Sequence, residues 1–332
     1  MVSISQIRAS NARIDETHTP RVAVFVGATA GIGRAALTAL LSKRLPIKLY
    51  IIGRDEANRR SWLEELQQSN PKAEINWLEG QVTLLAEVKR LCLKIKSHEE
   101  SIDLLFLSAG FLPFDGRHET SEGFETSLAL LYWSRILSIH HLLPLLIMSS
   151  STRPKYSPRI INILGTGFES ADIPLDDLDL RNPQNFSFQG VVKQAGTLTT
   201  LAMTHLAAEP ANRNIVFIHN HPGEVKTEIL RNGWGVKPAG MPVSAKTGMN
   251  PEMSGERSLY LISSAQFSGK GASLLKDVAG GLTVSKTDSG ALFLVDEKIE
   301  CIQQDEVLGK LELRNAKETV WRKMQEMLAP YL

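Results

Sequence analysis

Short apolar segments alternate with longer amphipathic segments along most of the chain. The apolar segments are hydrophobic at successive positions and are bounded by Gly, Pro, Asp or Ser, which is typical of strands buried on both faces of a sheet. Six are clear and a seventh lies near the end of the sequence: residues 22–27, 47–53, 75–80, 102–108, 159–164, 214–220 and 291–296. Between them, five segments carry apolar residues at helical spacing: residues 34–42, 57–69, 84–97, 124–148 and 191–208.

This alternation is the pattern of repeated βαβ units. We therefore predict an α/β fold, a Rossmann-type doubly wound parallel sheet of about seven strands flanked by helices, in a single domain. The predicted domain spans residues 21–300, between an N-terminal arm of residues 1–20 and a C-terminal helical extension of residues 301–332. Trp321, Met324 and Leu328 recur at helical spacing in that extension, which indicates a packing face.

The charge balance argues against a nucleic-acid or anionic-membrane partner. Among the 332 residues, 37 basic side chains oppose 36 acidic ones, so no large single-sign field exists, and we expect a small-molecule partner. The first twenty residues lack the apolar core of a signal peptide, and polar or helix-breaking residues interrupt the apolar stretch 136–148, so we expect a cytoplasmic protein without a membrane span. Cys92 and Cys301 form no metal or redox pattern, and no metal is expected.

A glycine-rich loop follows the first predicted strand directly and opens the first helix. Its glycines, Gly27, Gly31 and Gly33, stand where the backbone turns tightly and where a helix N-terminus favours an anion such as a pyrophosphate. The second strand ends in Gly53-Arg54, with no carboxylate to accept hydrogen bonds from a ribose 2′-hydroxyl, and Arg59 and Arg60 follow. An arginine there favours a 2′-phosphate, so NADPH is preferred over NADH; the alternative is that Arg54 is a solvated loop charge.

Two further motifs occupy matching places after later strands, Ser108-Ala109-Gly110 and Pro222-Gly223-Glu224-Val225-Lys226-Thr227. Over about residues 21–300 the chain resembles the short-chain dehydrogenase/reductases. VFVGATAGIG, LSAGFLPFDGRHETSEG and HPGEVKTEIL resemble a subgroup common in filamentous fungi and often linked to secondary metabolism. The resemblance implies contacts to NADPH or NADP+ from Gly27, Thr29, Ala30, Gly31, Ile32, Gly33, Arg54, Gln81, Val82, Ala109, Gly110, Lys193, Pro222, Gly223, Val225 and Thr227. Gln81 replaces the family's usual Asp but still forms hydrogen bonds.

The family's catalytic set of Asn, Ser, Tyr and Lys is largely missing. Lys193 matches the lysine, which places Gln189 at the tyrosine position, Gly165 at the serine position and Leu131 at the asparagine position. A primary amide is a poor proton donor, so a standard carbonyl reductase is disfavoured. Thr166, beside Gly165, still offers a hydroxyl, and Gln189 and Thr166 are donors that would orient a substrate.

Other side chains are weighed as replacements for the missing acid. His221 ends the sixth strand at the face that lines the crevice, and imidazole is a common general acid, so it is the better replacement, against the alternative of a strand-end histidine bonded to backbone. Tyr132 is interpreted as a helix-packing aromatic, and His219, on the same strand face as His221, is insufficient for a metal. The carboxylates of the insertion 166–188 are interpreted as a solvated rim, with one as a general base as the alternative: Glu169, Asp172, Asp176, Asp177 and Asp179.

The leading functional hypothesis is an NADPH-binding oxidoreductase acting on a bulky small molecule, of secondary-metabolite type, with a non-standard proton donor. The alternatives are a non-redox enzyme using the same pocket (an isomerase, dehydratase or cyclase) and a nucleotide-binding pseudoenzyme. A substrate lid is predicted at about residues 228–255, with apolar residues that suit such a ligand: Ile229, Leu230, Trp234, Pro238, Met241 and Pro242. The resemblance also implies a homodimer through the fourth and fifth helices, where Trp133, Ile136 and Leu137 either form that contact or face the core.

Overall fold

A computed structural model describes residues 2–111, 113–114, 116–227, 248–268, 270–272 and 292–332. Its centre is a seven-stranded sheet in the order β3-β2-β1-β4-β5-β6-β7, in which every neighbouring pair is parallel. The strands are β1 (Val22–Val26), β2 (Ile47–Gly53), β3 (Ala73–Glu79), β4 (Leu104–Leu107), β5 (Arg159–Ile163), β6 (Val216–Asn220) and β7 (Leu292–Val295). The predicted doubly wound parallel sheet is confirmed, and the strand order reverses between β1 and β4.

Helices cover both faces of the sheet. They are α1 (Ile4–Asn11), α2 (Gly31–Leu41), α3 (Arg60–Ser69), α4 (Leu85–Lys96), α5 (Thr126–Leu128), α6 (Ser134–Thr152), α7 (Phe188–Ala208), α8 (Pro251–Ser263), α9 (Asp305–Leu313) and α10 (Ala316–Leu328). A π-helical turn, Ala129–Trp133, joins α5 to α6. Side chains from alternate positions of each strand enter two cores, as Val24 and Phe25 show: Val24 packs with the helices α4 to α7, and Phe25 packs with α2 and α8.

Two helices were not predicted from the sequence. α1 lies in the N-terminal arm and begins at a capping box in which Ser3 and Gln6 satisfy each other's backbone N–H groups. α8 begins at Pro251, so residues 251–255, assigned to the predicted lid, form the first turns of a helix packed on α2. The rest of that lid, residues 228–247 with all of its apolar residues named above, lies outside the described residues.

A buried arginine fixes α8 to the amino end of β5. Arg159 is fully buried, and its guanidinium donates to the backbone oxygens of Leu261 and Ser264 at 2.7 Å each. These oxygens belong to the C-terminal end of α8, where unpaired carbonyls and the helix dipole favour a cation. Tyr156, whose ring lies under the guanidinium, donates its hydroxyl to Ile262 O at 2.9 Å.

The C-terminal extension packs over α6 and α7 as part of the core. Met324 and Leu328 are buried, and Trp321 stacks on His205 with ring centroids 4.0 Å apart, so the predicted packing face is confirmed. Trp133, Ile136 and Leu137 are buried in the same core, which resolves their two interpretations in favour of packing. Tyr132 is likewise buried there, as expected. A homodimer stays a prediction, and it would have to use other residues.

Within the described ranges, one helical segment is long and apolar enough to span a membrane. It is Thr126–Thr152, and 72% of its most apolar window is buried inside the structure. Burial of that kind is typical of a core helix, so this segment is weak evidence for a membrane span. The cytoplasmic location expected from the sequence stays a prediction.

Truncating a buried side chain of α10 tests whether the extension belongs to the core. We expect Leu328→Ala to lower the free energy of unfolding by roughly 2–5 kcal/mol, because Leu328 is 0% exposed and a cavity would remain. Leu313→Ala is the matched control, since Leu313 is 90% exposed on α9, and it should change stability by less than about 0.5 kcal/mol. Urea denaturation measures both, and equal values would contradict this packing.

Candidate cofactor and active site

A cleft of about 760 Å³ opens at the carboxyl ends of β1, β2 and β4, beside the point where the strand order reverses. In open parallel sheets such a switch point is where ligands bind. Most of the predicted cofactor residues line the cleft: Gly27, Thr29, Ala30, Gly31, Ile32, Arg54, Gln81, Val82, Ala109, Gly110 and Thr227. The structure therefore brings together, from five separate segments, residues that the sequence motifs had assigned to one site.

The glycine loop has a backbone that only glycine adopts easily. Gly27 has φ +95°, and a Cβ there would overlap the backbone of Ala109. Gly31 has φ +57°, and a Cβ on it would meet Thr227 Cγ2 at 3.3 Å, so the segment 222–227 approaches the loop closely. Because α2 begins at Gly31 after Ala30, no side chain caps its first N–H groups. These groups remain available for a pyrophosphate.

Two arginines lie at the β2 end of the cleft. Arg54 is exposed and Arg59 is partly buried, and both line it. Arg59 Nε is buried and has no hydrogen-bond partner in the part of the chain that the structure describes. Asp55, the first acid after β2, turns its carboxylate onto Asn58. Gln81 also lines the cleft, and its amide donates to Thr83 Oγ1 at 2.8 Å. An unpaired guanidinium donor is what a phosphate would satisfy.

The remaining predicted cofactor residues do not line the cleft: Gly33, Lys193, Pro222, Gly223 and Val225. Gly33 has a packing role, since a Cβ there would overlap Ser108 Oγ and Gly27 O. Lys193 is exposed on α7, one turn after the equally exposed Gln189. The segment that contains the other three leads directly into residues 228–247, outside the described part.

Comparison with known proteins identifies the family to which this chain belongs. The family model for short chain dehydrogenases matches residues 21–166. The NmrA-like family domain-containing oxidoreductase notO of Aspergillus sp. (strain MF297-2) is 35% identical over 328 residues, 97% of this chain and 93% of that protein. Oxidoreductase AN1596 of Emericella nidulans is 35% identical over 347 residues, 99% of this chain and 98% of that protein. The chain belongs to the short-chain dehydrogenase/reductase family.

Solved structures share the fold of this short-chain dehydrogenase/reductase. NADPH-bound carbonyl reductase from chicken fatty liver has a TM-score of 0.57 and 19% identity, over 88% of this chain and 97% of that chain. The Pseudomonas aeruginosa RhlG/NADP active-site complex has a TM-score of 0.56 and 20% identity, over 80% and 96% of the two chains. These likenesses show the shared fold, and the relatives above make the protein an oxidoreductase of this family.

At the family's serine position, polar groups turn inward instead of toward the cleft. Thr166, beside Gly165, is buried, and its hydroxyl donates to Glu169 Oε1 at 3.2 Å. Thr200 Oγ1 donates to the same oxygen at 2.7 Å and lies 2.9 Å from His219 Nδ1. Thr166 therefore does not present a free hydroxyl to a substrate, contrary to its assignment from the sequence. Glu169, expected on a solvated rim, is buried, and this expectation was wrong.

His219 is neutral in this network. Its Nε2 accepts from Gly165 N at 3.3 Å, so the hydrogen-bond pattern assigns the proton to Nδ1, which donates to Thr200. Complete burial, together with the nearby charges of Arg135 and His221, lowers the pKa of His219 to about 3. Both ring nitrogens of this neutral imidazole are hydrogen-bonded, and one of them holds the backbone at Gly165. His219 therefore has a structural role.

His221 is the histidine that stays accessible at the carboxyl end of β6. Its backbone N donates to Val295 O at 2.8 Å, and its ring lies edge-on to Phe168 with centroids 5.1 Å apart. The sequence analysis gave a histidine bonded to backbone as the alternative for this residue. His221 Nδ1, however, has no hydrogen-bond partner among the described residues. His221 does not line the cleft itself. Phe168, 46% exposed, places an apolar surface beside it.

The insertion 166–188 is anchored by a second buried carboxylate. Asp179 accepts from Trp133 Nε1 at 2.8 Å and Glu125 N at 2.9 Å, and Arg117 lies 3.3 Å away. Burial raises the pKa of Asp179 to about 6 despite these donors. The solvated-rim interpretation was wrong for Asp179 also, while Asp172 and Asp176 are exposed as expected.

The buried neutral histidine predicts a pH dependence of stability. An unfolded histidine binds a proton near pH 6.5 and His219 in the folded protein does so only near pH 3, so the unfolded state gains a proton as the pH falls between these values. The free energy of unfolding should therefore fall by about 1.4 kcal/mol per pH unit from pH 6 to pH 4 through this residue.

Denaturation at several pH values measures this slope. His219→Gln should remove that contribution, and His98→Gln, at an exposed histidine, should keep the wild-type slope. A wild-type slope in His219→Gln would contradict the assignment of a buried neutral imidazole.

Proposed function

We propose that the protein is an NADPH-dependent reductase of a bulky, largely apolar small molecule, with His221 as the proton donor in place of the missing tyrosine. The observation that carries the cofactor preference is the pair Arg54 and Arg59 at the end of β2, with a buried guanidinium nitrogen left unpaired. A 2′-phosphate supplies the acceptors for both arginines, whereas a ribose hydroxyl would leave these charges without a partner.

The absence of a competing carboxylate supports the same preference. In an NADH site, an acid at the end of the second strand accepts hydrogen bonds from the ribose hydroxyls. Here β2 ends at Gly53, and Asp55 is engaged with Asn58. A carboxylate at that point would also repel a phosphate, and Asp55 does not line the cleft.

Each part of the chain has its own task in this proposal. NADPH, when bound, supplies the hydride. The N-terminus of α2 would hold the pyrophosphate, and the segment from Pro222 to Thr227 would hold the carboxamide end. Lys193 binds the ribose, as the family resemblance implies.

The substrate is proposed from the surfaces around that end of the cleft. Phe111 and Leu130 line it beside the polar Thr120, Ser121 and Thr126. Phe168 lies near the serine position, so large apolar side chains stand among polar ones at this end. Such apolar side chains suit a bulky apolar acceptor, and the resemblance to fungal proteins of secondary metabolism favours a molecule of that type. His221, beside Phe168 at the carboxyl end of β6, is the residue proposed to return a proton.

The arginine pair gives a direct test of cofactor choice. Arg54→Ala and Arg59→Ala should each weaken NADPH binding about tenfold or more, because each removes a charge-assisted contact to phosphate. NADH binding should change by less than about twofold. Arg60→Ala is the matched control, since Arg60 is exposed on α3 and does not line the cleft. Nicotinamide fluorescence measures the binding constants, and equal losses for both nucleotides would contradict the phosphate role.

The tyrosine position gives a test of the missing acid. Gln189→Tyr should create or raise NADPH-dependent reduction of generic ketones, because a phenol four residues before Lys193 is the family's own acid. Gln189→Phe adds the same ring without the hydroxyl and should remain inactive. NADPH oxidation and alcohol formation are measured together.

The outcomes separate the proposed reaction from its alternatives. A folded, NADPH-binding Gln189→Tyr variant with no activity would contradict the assignment of Gln189 to the tyrosine position. Product formation by the wild-type protein without NADPH oxidation would contradict the proposed reduction.

A further inference from the structure

Arg135 is a buried arginine at the carboxyl end of the sheet. It lies on α6, one turn after Leu131 at the family's asparagine position, and it is 4% exposed. Its guanidinium donates to Ala109 O at 2.6 Å, to Ile163 O at 2.7 Å and to Asn162 Oδ1 at 2.7 Å. The side chain therefore joins the ends of β4 and β5 directly behind the cleft.

The charge of this guanidinium has no counter-ion. All its hydrogen bonds go to carbonyl or amide oxygens, and no carboxylate pairs with it within the described ranges. Burial lowers its pKa to about 9, and a guanidinium remains charged at neutral pH. Asn162, its side-chain partner, has a buried Nδ2 without a hydrogen bond in the described structure. A fixed positive charge thus lies in a region of low dielectric.

The charge is close to one wall of the cleft. Ala109 and Gly110 form that wall, and a Cβ on Gly110 would lie 3.7 Å from the Arg135 Nη2 atom. Arg54 and Gln81 mark the opposite, adenosine end. If the adenosine binds at Arg54 and Gln81 as proposed, the wall over Arg135 would belong to the half of the cleft that receives the nicotinamide end of the cofactor.

We infer that Arg135 is a specificity-determining residue that makes the site bind NADPH more tightly than NADP+. This inference rests on the proposed NADPH function. The two forms differ by one unit of charge, because the oxidised nicotinamide ring is a cation and the reduced ring is neutral. A buried cation behind this wall would disfavour only the oxidised form, so it would weaken the binding of the oxidised product and favour reduction.

The magnitude is measurable. Two unit charges roughly 10 Å apart, at an effective dielectric constant of about 20, change a binding constant by about tenfold. The ratio of the dissociation constants of NADP+ and NADPH isolates this effect, because the contacts to phosphate and adenine are common to both.

Two variants remove the net charge in different ways. Arg135→Gln removes the guanidinium, and Asn162→Asp keeps it but adds a carboxylate at the atom that Arg135 already contacts. Asn162→Asp is nearly isosteric and loses no hydrogen bond from Nδ2, so it should fold even if Arg135→Gln does not. At pH 7.5, each should lower the NADP+/NADPH ratio of dissociation constants by roughly 3- to 10-fold.

Two controls separate charge from structure. Arg135→Lys keeps the charge and should keep the ratio within about twofold, although it weakens the binding of both forms. Arg159→Gln removes another buried arginine, which is also held by backbone oxygens but at the amino edge of β5. It should lower stability and leave the ratio unchanged.

The outcomes distinguish this inference from the proposed function. A wild-type ratio in both Arg135→Gln and Asn162→Asp, or in a folded Asn162→Asp alone, would overturn the role of Arg135 while leaving NADPH binding intact. If the wild-type protein binds neither nucleotide, the proposed function itself fails. A ratio lowered equally by Arg159→Gln would assign the effect to general loosening and would overturn the inference.

Discussion

The close approach of β1 and β4 at their carboxyl ends is the constraint on which the site depends. Ser108 and Ala109 both donate to Val26 O, at 2.9 and 3.0 Å, while Gly27 turns away with a positive φ against the backbone of Ala109. The strands then diverge in their connections, because the strand order reverses here. That divergence opens the cleft, and the uncapped start of α2 points into it.

A buried hydrogen-bond network lies at the position that corresponds to the family's catalytic serine. Where the family places its serine and asparagine, this chain has Gly165 and Leu131, and the polar groups nearby bond to one another beneath the surface. The hydroxyls of Thr166 and Thr200 donate to Glu169, and His219 bonds to Thr200. These buried groups therefore avoid the large free-energy cost of an unpaired polar atom. This arrangement holds the backbone at Gly165 in place, and the proposed proton donor lies outside the network.

β5 is held by a buried arginine at each end. Arg159 joins its amino end to the last turn of α8, and Arg135 joins its carboxyl end to β4. Carbonyl oxygens accept hydrogen bonds from both guanidinium groups and fix their positions, but they do not neutralise the positive charge. At the amino edge the charge serves only packing. At the carboxyl edge, the Arg135 guanidinium lies behind the cleft, where its electrostatic field would act on a bound ligand.

The sequence by itself determined the strands, the glycine loop and the packing face of α10. These follow from local periodicity and from backbone conformations that only glycine adopts easily, and both are written in neighbouring residues. The tertiary structure alone decided the roles of Glu169, Asp179 and Arg135, because nothing local distinguishes a buried charge from a solvated one. For the same reason, only the structure shows that Arg59 lines the cleft and that the Thr166 hydroxyl is bonded to Glu169. The direction of each side chain depends on the tertiary fold around it.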